Sequence, residues 1–501
     1  MLATLEPEHR GTPDAPVAGS RGRSNWWWLA LPVGSIGVVV GCLLPWRTAI
    51  RTGQFDDSFW HHAAGLWMIR HHEVMTRDVF SYTVTGHSWI TPEWGYSLLL
   101  AETVRVIGPV GFWLLSAGVA TLTVLAVVVL CRMHGAGWLW TGVLSIEVGA
   151  AVTLFLDDRP QVVSYFLVAV LLVLLAAGKR RRAVLAVTPL LFVLWANLHG
   201  SFLLGMAILG LEAVVAFLPA RMGRLSVDRP LVRRDALLLL LASGLATLVN
   251  PFGFGVYRSA LGVSSNAVVR QLIGEWQSPD FHDTTTMALI AVPLVLTLAY
   301  LLFSKGPVPA VELGLTVFLL MATFEAARFL PYLAIAWCAL AAQCPPLPRE
   351  TLRPSPLIWP VLVLLGFAFL SGPVVPAGQP AASVPVGAVD YLATHPGRVF
   401  STYLWNDYLT LRGVPDFIDG RTELFTGTPA FGQYLTVNGL TGDPDRVFRH
   451  YRVTYVLWPT HTPLSVYLGQ DPAWTEVRRT AQSIVFRRAS APTSTSASIG
   501  P

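Results

Sequence analysis

Apolar runs long enough to cross a bilayer recur along most of this chain, and basic residues cluster in the short loops between them. No soluble core calls for that arrangement. With 53% hydrophobic and 13% charged residues, the composition excludes a soluble multidomain enzyme and reads as a polytopic α-helical membrane protein. The net charge of +5 resides in those loops, where it marks membrane orientation and implies no nucleic-acid partner. The four cysteines, Cys42, Cys131, Cys338 and Cys344, lie in or beside apolar runs without metal-ligand spacing, so neither a disulfide framework nor a cysteine metal site follows.

Residues 1–25, rich in Pro, Gly and Arg, are expected to form a disordered cytosolic tail. Trp26–Trp46 then reads as an uncleaved anchor opening a transmembrane domain over residues 26–371, with a large first outer loop at 47–108. Further runs fall near Pro109–Leu130, Trp138–Leu156, Val162–Gly178, Ala183–Trp195, Phe202–Pro219 and Ala236–Val249. Met287–Phe303, Val311–Phe324, Pro331–Ala342 and Leu357–Leu370 bring the total to about eleven spans. Trp94–Gly108, apolar but carrying Glu102 and Arg105, reads as a helix lying on the membrane surface. That choice places Arg132, Lys179–Arg182, Arg221–Arg234, Lys305, Arg349 and Arg353 on the cytosolic side. It also gathers the loops FDDSFWHH, FLDDRPQ, WANLHG, NPFGF, GEWQSPDFHD and FEAARFLP on the outer side.

From Ser371 the spans stop. Residues 384–488 alternate β-rich pieces (Val399–Tyr403, Phe417–Asp419, Val453–Leu457, Ser483–Phe486) with helical ones such as Pro444–Tyr451, a small extracytoplasmic α/β domain. Residues 489–501, rich in Ser, Thr, Ala and Pro, read as a disordered tail.

Two adjacent carboxylates and two adjacent histidines stand out in Phe55–Gly65. Read as a helix, the stretch puts Asp57 and His61 on one face and Phe59, Trp60, Ala63, Leu66 and Trp67 on the other, the latter expected to rest in the lipid boundary. Asp56 or Asp57 suits a general base for an acceptor hydroxyl; the bland alternative is an acidic first helical turn. Asp157 and Asp158 could hold a divalent cation (Mg or Mn), with Arg159 a bidentate partner for phosphate. Arg328 is a second phosphate candidate, its alternative an intrahelical pair with Glu325. Asn197 and His199, with Glu275, Trp276 and Asp280, offer hydrogen bonds and a stacking surface for a sugar or peptide acceptor. His71, His72 and Glu73 lack zinc-ligand spacing and read as interfacial.

The order of these pieces resembles the GT-C superfamily of membrane glycosyltransferases, with Asp56 and Asp57 matching its first acidic motif and Asp157 and Asp158 its second. More closely, DSFWHHAAG, RDVFSYTVTGHSWITPEW, DRPQ, LWANLHGSF, NPFG, EWQSPDF, LWNDYL and FIDGR are similar to a group of bacterial polytopic membrane proteins filed with that superfamily. LWNDYL departs from the group, having Asn406-Asp407 where two glycines are common. The resemblance implies transfer of a sugar from a polyprenyl-phosphate donor, with inversion, to a glycan, lipid or protein acceptor at the outer face of the bacterial cytoplasmic membrane. It favours Asp57 as base, with His61 orienting it or joining a metal, Asp157 and Asp158 assisting metal or acceptor binding, and Arg159 and Arg328 on the lipid phosphate. The rivals are a polymerase or ligase of lipid-linked glycans, a transporter or flippase using the intramembrane carboxylates Glu147 and Glu212, and a non-catalytic glycolipid binder.

Overall fold

The computed structural model describes residues 30–489 apart from 54–55, 157–158, 179–181, 220, 228–231, 267–269, 271–272 and 345–353. Asp157, Asp158, Lys179, Arg180, Arg181, Arg349 and Arg353 therefore lie outside the described residues, as do both terminal tails.

Helices form where the apolar runs predict them. Three are long and apolar enough to cross a membrane, Val110–Met133, Gln161–Gly178 and Thr284–Phe303. Shorter apolar helices occupy Ser35–Ala49, Trp138–Leu154, Phe202–Val215 and Ile358–Leu370 among others. Length and composition thus qualify three of the expected spans among the described residues.

The first and third apolar runs meet backbone to backbone. A Cβ at Gly37 would stand 2.5 Å from the Gly142 carbonyl oxygen, and one at Gly41 2.3 Å from that of Ser145. Small residues allow this approach where lipid supplies no hydrophobic drive between helices.

Described parts of the loops at one end of the bundle are tied to each other. Leu225 pairs with Val308, Arg224 donates to the carbonyl of Leu301 at 2.6 Å, and Leu31 bridges Ser355. At the other end, the helices Asp56–His71 and Trp94–Ile107 pack together, Gly65 against Ser97 and Ala101. Above them sits a four-stranded sheet ordered Val399–Ser401, Tyr455–Pro459, Ser483–Arg488, Trp474–Arg479, its first pair parallel and the others antiparallel.

Two local expectations change, and LWNDYL takes a definite form. Phe417–Asp419 is no strand: the Tyr82 N–H donates to the Asp416 carbonyl at 3.1 Å and the Thr83 hydroxyl to that of Phe417 at 2.6 Å, so this backbone is paired with the first outer loop instead of a sheet. LWNDYL lies in a helix, Tyr403–Leu411, with Asn406 and Asp407 buried. The apolar face of Asp56–His71 meets protein, not lipid. Phe59 packs in a core with Val399, Tyr408 and Leu409, and Trp60 and Met68 in another with Phe400, Phe417 and Trp458.

Candidate active site

Loops remote in sequence converge beneath this C-terminal domain. Asp57 stands in the first turn of its helix, its Oδ2 2.8 Å from Arg159 Nε and its Oδ1 accepting from the Trp60 indole at 3.3 Å. Arg159 precedes the Gln161–Gly178 helix and turns its Nη1 to Glu275 Oε2 at 3.5 Å. The other oxygen of Glu275 lies 3.5 Å from Arg328 Nη1. Arg328 also donates to Gln161 Oε1 at 3.0 Å and lies over the Trp276 ring at 4.2 Å. A carboxylate, an arginine, a second carboxylate and a second arginine thus form a continuous chain.

Glu93, which sequence reasoning passed over inside TPEW, joins two histidines. Its Oε1 lies 3.5 Å from His199 Nε2 and its Oε2 3.9 Å from His61 Nε2. The Ser201 backbone N–H donates to His199 Nδ1 at 3.3 Å, so the proton of the neutral ring is assigned to Nε2, facing Glu93. Burial pushes Glu93 up to about 8, helped by Glu423 and Asp57 and opposed by Arg328 and Arg159. Burial, with Arg328, pushes His199 down to about 3, and burial holds His61 well below its usual range. At neutral pH this group is two uncharged imidazoles around a largely protonated carboxyl.

Beside it opens a cavity of about 350 Å³. Its lining combines Glu93, His199 and Arg328 with the apolar Leu203, Leu204 and Phe318.

The C-terminal domain closes over Asp57. The Gly420 N–H donates to Asp407 Oδ1 at 2.7 Å, and its carbonyl accepts from the Tyr403 hydroxyl at 3.1 Å. A buried ion network anchors the same turn: Arg421, fully enclosed, pairs with Asp78 of the first outer loop at 2.7 Å and with Asp419, its guanidinium 4.8 Å from the Trp89 ring centre.

The remaining expected residues fall as follows. His61 directs its nitrogens to Ser97, at 2.8 Å, and to Glu93 rather than to Asp57, because its ring leans towards the Trp94–Ile107 helix. Asn197 clamps backbone: its amide donates to the carbonyls of Val193 and Val249 and its oxygen accepts from the Trp94 indole at 2.9 Å. Asp280, largely exposed, pairs with His282 in its own loop. Asp56 lies in the first helical turn. Among the described residues no three His, Cys, Asp or Glu side chains cluster closely enough to hold a metal ion. Of the missed residues, Glu93 sits inside a motif already visible in the sequence; Asp407, Tyr403 and Gly420 had no signal linking them to Asp57.

No protein family and no curated protein matches the sequence. Solved structures match the fold. The oligosaccharyltransferase of Archaeoglobus fulgidus tethered with an acceptor peptide superposes with a TM-score of 0.56 at 12% identity, over 87% of this chain and 69% of that one. The same organism's AglB, in complex with an inhibitory peptide and a dolichol-phosphate, gives 0.55 at 12% identity over the same shares. ArnT from Cupriavidus metallidurans bound to undecaprenyl phosphate gives 0.55 at 11% identity, over 92% and 98%. The chain shares the overall fold of these proteins.

Proposed function

We propose that this protein is a GT-C-type membrane glycosyltransferase that transfers a sugar from a polyprenyl-phosphate donor to an acceptor hydroxyl or amide at the outer face of a bacterial cytoplasmic membrane. The observation that carries the reading is the cavity lined both by apolar helix side chains and by Arg328 and Glu93, with Arg328 linked through Glu275 to the Asp57–Arg159 pair. Such a cavity suits a ligand with a hydrocarbon tail and an anionic head. The neighbours' lipid phosphates, and the similarity of DSFWHHAAG, DRPQ and FIDGR to a group of bacterial polytopic proteins, support it.

Asp57 takes the acceptor proton as the acceptor attacks the anomeric carbon. The bond from that carbon to the phosphate oxygen breaks, inverting the centre, and the lipid phosphate leaves with the electron pair. Arg328 and Arg159 oppose its charge, the term that lowers the barrier most in such displacements. A divalent metal, were Asp157 and Asp158 to hold one, would supply further positive charge for the departing phosphate. Residues 26–371 form the transmembrane domain with about eleven spans, and residues 384–488 the extracytoplasmic domain, with the N-terminus cytosolic.

Membranes carrying wild type or Asp57→Asn are incubated with radiolabelled polyprenyl-phosphate sugars, with and without chelator. Transfer by the wild type alone supports the reading, and chelation decides the metal. Equal labelling in both removes Asp57 from the chemistry.

A further inference from the structure

Glu275 spans both phosphate-binding candidates, one carboxylate oxygen 3.5 Å from Arg159 and the other 3.5 Å from Arg328. Each arginine is fixed elsewhere by a shorter contact, Arg159 Nε to Asp57 at 2.8 Å and Arg328 Nη2 to Gln161 at 3.0 Å. What each presents to Glu275 is its Nη1, at a distance longer than a tight charge-assisted hydrogen bond. These two Nη1 groups are the exchangeable positions.

We infer that Glu275 is an internal stand-in for the lipid phosphate, holding the two guanidinium groups when the carrier is absent and exchanging with it in each turnover. This rests on the lipid-phosphate reading above. A carboxylate offers two anionic oxygens to two donors, as a phosphate does. Among the described residues, Asp57 and Glu275 already pair with Arg159 and Arg328, so an incoming phosphate either adds repulsion or displaces one of them. Asp57 is the base and is held more closely, so Glu275 moves. Its side chain can swing away while the backbone stays, because the turns carrying Glu275 and Arg328 are tied by the Ala327 N–H donating to the Gln277 carbonyl at 2.9 Å. With a fifth of its side chain exposed, Glu275 has room to leave.

The exchange has a direction. After transfer, the carrier phosphate has lost its sugar ester and gained negative charge, so it would bind the arginines more firmly than the donor did. Return of Glu275 competes with it and speeds its release.

The test measures binding of undecaprenyl phosphate, and of uncharged undecaprenol, to the full-length protein in nanodiscs. Glu275→Gln keeps the shape and removes the charge; it should bind the phosphate about tenfold more tightly with undecaprenol unchanged, and be inhibited by it at correspondingly lower concentration. The gain should vanish in the double variant Glu275→Gln with Arg328→Gln. Weaker or equal phosphate binding in Glu275→Gln, with undecaprenol binding intact, overturns the inference and makes Glu275 a strut for the arginines. If neither protein prefers the phosphate to undecaprenol, the lipid-phosphate reading itself fails.

Discussion

Gly420 of the C-terminal domain lies directly on Asp57: a Cβ at position 420 would stand 2.6 Å from Asp57 Oδ1 and 2.5 Å from Asp407 Oδ2. Only a residue without a side chain lets the C-terminal domain approach the candidate base so closely. The domain is therefore a wall of the site, not a passenger beside it.

Gly420→Ala forces Asp57 or the turn to shift. Transfer should fall by about 10²-fold in kcat, the scale of a misplacement near 1 Å, while KM for the lipid donor changes little. Steady-state kinetics with varied donor checks this; a raised KM at unchanged kcat would assign the contact to donor binding instead.

Arg421 binds the two parts of the protein together through Asp78 and Asp419. Arg421→Met leaves buried carboxylates without their cation and should cost about 3–5 kcal/mol. Limited proteolysis should then release residues of the C-terminal domain at temperatures where the wild type resists.

Arg328→Gln removes a cation that lines the cavity. KM for a polyprenyl-phosphate sugar should rise by about 10- to 100-fold, as expected for losing a charge-assisted bond. Binding of undecaprenol, which carries no charge, should stay the same.

Glu93 and His199 pull stability in opposite directions with pH. Glu93 is raised from 4.5 to about 8, so the folded protein holds a proton that the unfolded chain releases, and stability falls as pH rises across that window. His199 is lowered from 6.5 to about 3, so stability rises with pH until about 6.5, where the unfolded histidine has lost its proton too. Of these two groups, only Glu93 still contributes a slope between pH 6.5 and 8. Thermal unfolding should show a midpoint falling across that interval in the wild type, and a flatter line in Glu93→Gln.

Glu147 separates a transferase from a transporter. It lies within Trp138–Leu154, with one carboxylate oxygen buried and without a protein hydrogen-bond partner. Glu147→Gln should leave sugar transfer within about twofold of wild type, since it lies outside the reacting groups. Loss of function there with mild effects in Asp57→Asn would favour a proton-coupled carrier.

The bundle was legible because hydrophobic run length and loop charge are one-dimensional properties, readable without knowing any neighbour. The same alternation placed Asp57, Arg159, His199, Glu275 and Arg328 at one end, so their convergence was in reach of the sequence. Which of them touch was not. His61 faced Asp57 on a helical wheel, yet the neighbouring helix draws its ring to Ser97 and Glu93.

The sequence by itself determined that the chain is a helical membrane protein, that its polar loops share a face, and that Phe59 and Trp60 lie on the apolar side of their helix. Only the tertiary structure decided that this side is covered by Phe400, Tyr408 and Phe417 instead of lipid, and that Gly420 presses on Asp57. Helical periodicity tells which face must leave water. What covers that face is a contact between distant segments, and no local pattern encodes it.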